Sequence, residues 1–144
     1  MAIKNVDKAW AAGFFDGEGC VIIQRRKEPK TKHKILHLLH IEVAQVDILP
    51  LKKLKNMFGG RLYYDKYTKI NKWIITNSNA KMFLEKIENF CTTKKKECQT
   101  ALKFSKLIKP IGAQKALTNS QFSKREFYYK ELQRLRKVKY GNRS

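Results

Sequence analysis

Acidic residues are scarce in this chain. Its 144 residues carry 12 Asp and Glu against 32 Lys and Arg, a formal net charge of +20. Solubility needs far less charge of one sign, and so large an excess repels itself. The imbalance points to a polyanionic partner. Nucleic acid comes first, because each phosphate neutralised releases counterions. Cysteine is scarce as well. Cys20, Cys91 and Cys98 are odd in number and lack zinc-pair spacing, so they are expected to be buried thiols. His33, His37 and His40 are the only histidines. His37 and His40 lie three apart on a predicted strand and so point to opposite faces, which argues against a metal role. No apolar run approaches the length of a membrane span, and no signal peptide is recognised before the first helix. No low-complexity linker divides the chain. The length suits one domain with a real core, and the 42% hydrophobic content makes it globular.

What is present alternates between two patterns. Residues 5 to 17 have helical periodicity, with Trp10, Phe14 and Gly17 along one side and Ala11 and Phe15 along another. Two extended runs follow, Cys20 to Lys27 and Ile35 to Gln45, joined by the polar loop "KEPKTKHK". "QVDILPLKKLKNMFGG" reads as a helix with Asp47 at its N-cap, Pro50 in the first turn, and Gly59 and Gly60 ending it. A second hairpin pairs Arg61 to Lys66 with Lys72 to Thr76. "NSNAKMFLEKIENF" is the next helix, capped by Ser78 or Asn79, and another covers about Lys95 to Ile108 and stops at Pro110. Ser123 and Glu126 form a capping-box pattern that starts a tail helix running to Tyr140. One domain over residues 1–144 is expected, with a core of about 5–110 and a helical C-terminal region of about 111–144. The fold class is α+β: a four-stranded antiparallel sheet with helices on one face.

Strand alternation then sorts the side chains. Val21, Ile23 and Arg25 share a face, as do His37, Leu39, Ile41 and Val43, Leu62 with Tyr64, and Trp73 with Ile75. That set suits a core. The opposite face carries Cys20, Ile22, Gln24 and Arg26 from the first strand and Leu36, Leu38, His40 and Glu42 from the second. Arg61, Tyr63 and Asp65 come from the third, and Lys72, Ile74 and Thr76 from the fourth. This mixture suits base edges: Arg pairs with guanine, Gln with adenine, an acid with cytosine, and an aliphatic side chain with the thymine methyl. A strand of about eight residues at roughly 3.3 Å each spans about 26 Å, or about eight base pairs. One domain would read a half-site and a dimer two.

The stretch "AAGFFDGEG", residues 11 to 19, holds three glycines and two acids just ahead of the first strand. It resembles the LAGLIDADG motif of homing endonucleases. Ala12 and Gly13 match Ala-Gly, Asp16 matches the first acid, Glu18 stands for the second, and Gly19 matches the last glycine. Ala11, Phe14, Phe15 and Gly17 are replacements. The order helix, hairpin, helix, hairpin is that family's core order, so the resemblance covers nearly the whole chain. One copy of the motif is present, and single-copy members of this length act as homodimers. Gly13 and Gly17 lie four apart on one helix face, where another backbone could approach closely. Gly13, Asp16 and Gly17 are the expected dimer contacts. Two motif helices packed about a two-fold axis would bring two copies of Glu18 together, and abutting carboxylates need a cation between them.

The resemblance implies further roles. Gln45 matches a polar residue at the metal and water site, Lys94 a lysine beside the scissile phosphates, and the Gly17 carbonyl a metal contact. Lys95 and Lys96 leave that lysine's register open. Asp16 more readily fixes the helix end than binds metal. Leu49, in "DILP", departs from the family, whose close relatives often place a basic residue there. The implied catalyst is a divalent-metal-dependent DNA endonuclease using Mg²⁺, with Mn²⁺ able to substitute and Ca²⁺ binding without supporting cleavage. It would cut both strands of a long pseudo-palindromic duplex, leave short 3′ overhangs and be intron-encoded. Such genes belong to organelles or prokaryotes, and the product is intracellular. The competing readings are an RNA maturase of the same type or a non-catalytic DNA-binding regulator. A basic ribosomal or RNA-structural protein would explain the charge and leave the motif unexplained.

Overall fold

A computed structural model describes residues 2–108 and 117–140 of the chain. Its elements are α1 (Asn5–Glu18), β1 (Gly19–Lys27), β2 (Ile35–Gln45), α2 (Leu49–Phe58), β3 (Arg61–Asp65) and β4 (Ile70–Thr76). Then come α3 (Asn77–Ile87), a 3₁₀ turn (Glu88–Phe90), α4 (Lys95–Ser105) and α5 (Asn119–Tyr140). All strand pairings are antiparallel, in the order β1-β2-β4-β3. The α+β architecture expected from the sequence is the one observed.

The registers place the two side-chain sets on opposite faces as alternation predicts. Cys20 pairs with Glu42, Ile22 with His40, Glu42 with Ile74, and Tyr63 with Lys72. The other face is the core. Val21, Ile23, Leu39, Ile41, Val43, Trp73 and Ile75 are buried there beneath the helices. Phe83 of α3 lies at its centre, meeting Phe15 (5.7 Å between centroids), Phe58 (4.7 Å) and Trp73 (5.1 Å) edge-on. Such edge-to-face contacts add to the stabilisation from area burial. The Trp73 indole N–H donates to the Gly59 carbonyl (2.7 Å), so the largest core side chain has its polar atom paired. Gly60 follows with φ +86, and a Cβ there would sit 2.6 Å from the Ile74 carbonyl oxygen. Only glycine ends α2 this close to β4.

Several element ends differ from the sequence reading. β4 begins at Ile70, two residues before the expected Lys72, because Asp65 ends β3 and closes a tight turn. Its carboxylate accepts from the N–H groups of Tyr67 (2.9 Å) and Thr68 (3.4 Å). Ile48, not the expected Asp47, is the N-cap of α2; the Asp47 carboxylate accepts from Leu49 N–H (3.0 Å) one residue ahead of the cap. α3 begins at Asn77, before either expected cap, and the Asn77 side chain accepts from Leu39 N–H of β2 (3.1 Å). α5 begins at Asn119, four residues earlier than expected. The reciprocal cap is Thr118 with Gln121, the Thr118 hydroxyl accepting from Gln121 N–H (3.1 Å) and the Gln121 side-chain oxygen from Thr118 N–H (2.9 Å). Ser123 is exposed within the helix, and Glu126 is used elsewhere. α4 ends at Ser105, and the expected stop at Pro110 lies outside the described residues. Cys91 and Cys98 are buried thiols as expected, while Cys20 is only half-buried.

Candidate functional site

α1 runs into β1 with no intervening loop. Gly19 makes this possible: a Cβ there would lie 2.4 Å from the Phe15 ring and 2.8 Å from the Phe15 carbonyl oxygen. Gly13 and Gly17 are the opposite case. Both are exposed, and a Cβ at either would meet nothing within 4 Å. Within one chain, neither glycine is needed for space.

The two motif acids part company at the end of α1. Asp16 is occupied inside the chain. Its carboxylate accepts from Thr92 N–H (2.8 Å) and Lys94 N–H (2.9 Å), and its carbonyl accepts from the Lys94 ammonium (2.6 Å). That bond sets a cation at the negative end of the α1 dipole, where α1 has no basic residue of its own in its last turn. Lys94 is buried, 3% exposed, with its ammonium 5.9 Å from the Phe15 ring centroid. Lys95 and Lys96 are exposed. The structure therefore places Lys94 at the motif helix and turns its two neighbours outward. Glu18 is exposed, and among the described residues no N–H or cation engages its carboxylate. The Asp16 carboxylate is committed to the loop before α4, consistent with a helix-fixing role.

Gln45 ends β2 at the same end of the sheet. Gly19, the first residue of β1 and next to Glu18, pairs with Val43, two residues before Gln45. The Gln45 side-chain carbonyl accepts from Val46 N–H (2.9 Å), which leaves its amide N–H groups as donors. Among the described residues, no three His, Cys, Asp or Glu side chains form a metal-holding group. One chain offers Glu18 and the Gly17 carbonyl, which are hard oxygen donors of the kind that suit Mg²⁺. This set is too small for a cation site until a second copy, phosphates or water complete it.

From that end the uncovered sheet face extends along the strands. Gln24, Arg26, Arg61, Tyr63 and Thr76 are exposed on it, and Cys20, Ile22, Leu38 and Lys72 are half-buried. Glu42 is half-buried between His40 (3.5 Å) and the Lys72 ammonium (3.6 Å). Leu36, His40 and Ile74 are on the predicted face yet closed, at 3%, 8% and 6% exposure. Asp65 also departs from a reading role, since its carboxylate organises the β3–β4 turn and is held below the usual carboxylate range by the Tyr67 and Thr68 N–H bonds. Alternation assigns faces, but it cannot register that a position is shielded or already bonded.

Sequence reading also missed the docking of α5 along β1. The Glu126 carboxylate accepts from Arg25 (2.8 Å) and bonds His37 (2.8 Å), while Arg25 stacks over the Tyr129 ring (5.3 Å). His37 sits in the core against Phe104 and Phe122, and burial lowers its pKa, opposed by the bond to Glu126. The aromatic residues of the tail at helical spacing were the available signal.

Comparisons with known proteins agree on the fold. Residues 11–108 match the sequence signature of the family described as LAGLIDADG endonuclease. No curated protein sequence matches the chain. The homing endonuclease I-CvuI in complex with its target is similar at a TM-score of 0.80 and 18% identity, covering 91% of this chain and 82% of that one. An archaeal intron-encoded homing endonuclease, I-Vdi141I complexed with DNA, gives 0.78 and 14% over 91% and 84%. The homing endonuclease I-TnaI gives 0.67 and 20% over 96% and 99%. With the motif at the helix-to-strand junction and its signature over most of the described core, this chain belongs to the LAGLIDADG endonuclease family.

Proposed function

We propose that two copies of this chain pack through α1 and form a site-specific DNA endonuclease. The sheet face would read a half-site from each copy, and the paired α1 ends would cut both strands of a pseudo-palindromic duplex, leaving short 3′ overhangs. The division between the motif acids carries the reading: Asp16 is consumed by the fold, and Glu18 is held exposed at the end of the reading face. An unpaired carboxylate at a helix C-terminus is electrostatically unfavourable, and a cation shared with a second copy of Glu18 would relieve it. The open space at Gly13 and Gly17 supports close approach of the second α1.

The Glu18 carboxylate and the Gly17 carbonyl would hold the cation. Bound there, Mg²⁺ would stabilise the attacking and leaving oxygens of the phosphodiester and lower the pKa of the attacking water. Gln45 would orient water or phosphate through its amide N–H groups. Lys94 would keep the end of α1 positive, countering charge that develops on the phosphate. I-CvuI has been seen with its target in the presence of Ca and with another target, uncleaved, in the presence of Mg, which supports a divalent cation here.

The test is a library of duplex sites incubated with Mg²⁺ and either the wild-type chain or Glu18→Gln. Cleavage of a discrete site by the wild type, lost in the variant with binding kept, is expected. Tight site-specific binding with no cleavage by the wild type would leave a DNA-binding regulator instead.

A further inference from the structure

β1 is an edge strand, paired on one side only. α5 lies along its other side and runs antiparallel to it. Glu126 and Tyr129 meet Arg25 near the far end of β1. Leu132 enters the core, and Arg136 comes near Cys20 at the opposite end. There burial pushes the Cys20 thiol up, and the Arg136 charge opposes the rise. Between strand and helix is an open cleft of about 560 Å³. Gln24, Arg25 and Arg26 line its strand wall, and Tyr129, Gln133 and Arg136 its helix wall.

Charge decides what such a cleft can take. Three guanidinium groups line it. Glu126 neutralises Arg25, but among the described residues neither Arg26 nor Arg136 has an ion-pair partner. Gln133 donates to the Tyr129 hydroxyl (3.0 Å), which fixes both at the rim. Two unpaired guanidinium forks on facing walls match the geometry of phosphate oxygens. The cleft is also continuous with the reading face, because Gln24 and Arg26 belong to both. From Tyr129 to Arg136 the helix rises about 10 Å, enough for about three phosphates of one strand along the duplex axis.

We propose that the α5–β1 cleft holds the sugar–phosphate backbone of the DNA strand bordering the β1 edge, with Arg136 as its principal phosphate contact. This rests on the reading of the sheet as a duplex-binding face, and it makes the C-terminal helix a side clamp rather than a mere brace for the core. The contact carries no sequence information, so it acts equally on target and non-target DNA.

The experiment therefore needs neither cleavage nor a known target. Binding of a short duplex of arbitrary sequence, without divalent cation, is followed across a salt series for wild type, Arg136→Gln, Arg136→Lys and Lys103→Gln. Lys103 is exposed on α4 and removes the same charge outside the cleft. Arg136→Gln is expected to lower the slope of log affinity against log salt by about one per bound copy. Arg136→Lys should hold most of that slope, and Lys103→Gln should leave it at the wild-type value. An unchanged slope for Arg136→Gln, or an equal fall for Lys103→Gln, would overturn the clamp. Neither result depends on Glu18, so a failed endonuclease reading shows up separately, as binding without cutting.

Discussion

The two ends of β1 are built on opposite plans. At the far end, Arg25, His37 and Glu126 join across strand and helix, and each charge finds a partner inside the chain. At the near end, Asp16 and Lys94 are joined just as fully, yet Glu18, two residues on, has no partner among the described residues. The far end fastens α5 to the sheet. The near end fastens its own loop and then presents one leftover carboxylate beside two glycines whose missing side chains the single chain does not require. The exposed acid and the empty helix surface beside it are the features on which the proposed pairing of two copies rests.

This contrast breaks most sharply at Glu18. Glu18→Gln is expected to reduce cleavage by about 10³-fold, the scale for losing one preorganised electrostatic group, with no loss in thermal stability. A large fall in melting temperature would mean Glu18 belongs to the fold after all. Asp16→Ala should do the reverse of a silent change. It strands the Thr92 and Lys94 N–H groups, while the Lys94 ammonium keeps its bond to the backbone carbonyl of residue 16, costing about 2–3 kcal/mol in urea unfolding; a smaller effect than that of an ordinary surface substitution would erase the distinction between the acids. Gly17→Ala separates monomer from assembly. In an isolated helix it would stabilise by about 0.5–1 kcal/mol, whereas beneath a partner helix it should weaken self-association by about 1–3 kcal/mol. Sedimentation that shows unchanged association together with a higher melting temperature would rule out packing through that face.

The smallest effect belongs to the far end. Burial lowers the His37 pKa in the folded chain from its ordinary 6.5. The unfolded state therefore binds more protons just below that value, so stability is full above about pH 6.5 and falls as the pH drops toward the lowered folded value. Urea midpoints over this range should decline for the wild type and decline less for His37→Gln. Equal slopes would show that the buried imidazole is not the titrating group.

Much of this was legible in the sequence, and the reasons can be named. Alternation sorted the strand faces correctly because side chains in a strand have period two and one face must be apolar. The motif located the α1–β1 junction because only glycine fits against Phe15 at position 19. Local pattern failed where a side chain's role is set by distant chain. Glu126 offered a plausible cap for its own helix, but Arg25 and His37, 101 and 89 residues away, claim it. Lys94 reads as one of three equivalent lysines until the fold carries Asp16 beside it. The true start of α5 was present as Thr118 and Gln121, outcompeted by an equally regular pattern one turn later.

The absence of a loop between Glu18 and Gly19 has a geometric consequence. The residue proposed to cut and the strand proposed to read form one continuous piece of backbone, with a glycine junction that leaves no room for a side chain beside Phe15. Such a piece works as a ruler. Its zero mark is Glu18, and its graduations are Cys20, Ile22, Gln24 and Arg26, spaced by about 6.6 Å. Exchanging the side chains on the graduations would change which bases are measured without moving the zero. Adding a single residue at the junction would turn every graduation to the other side of the sheet.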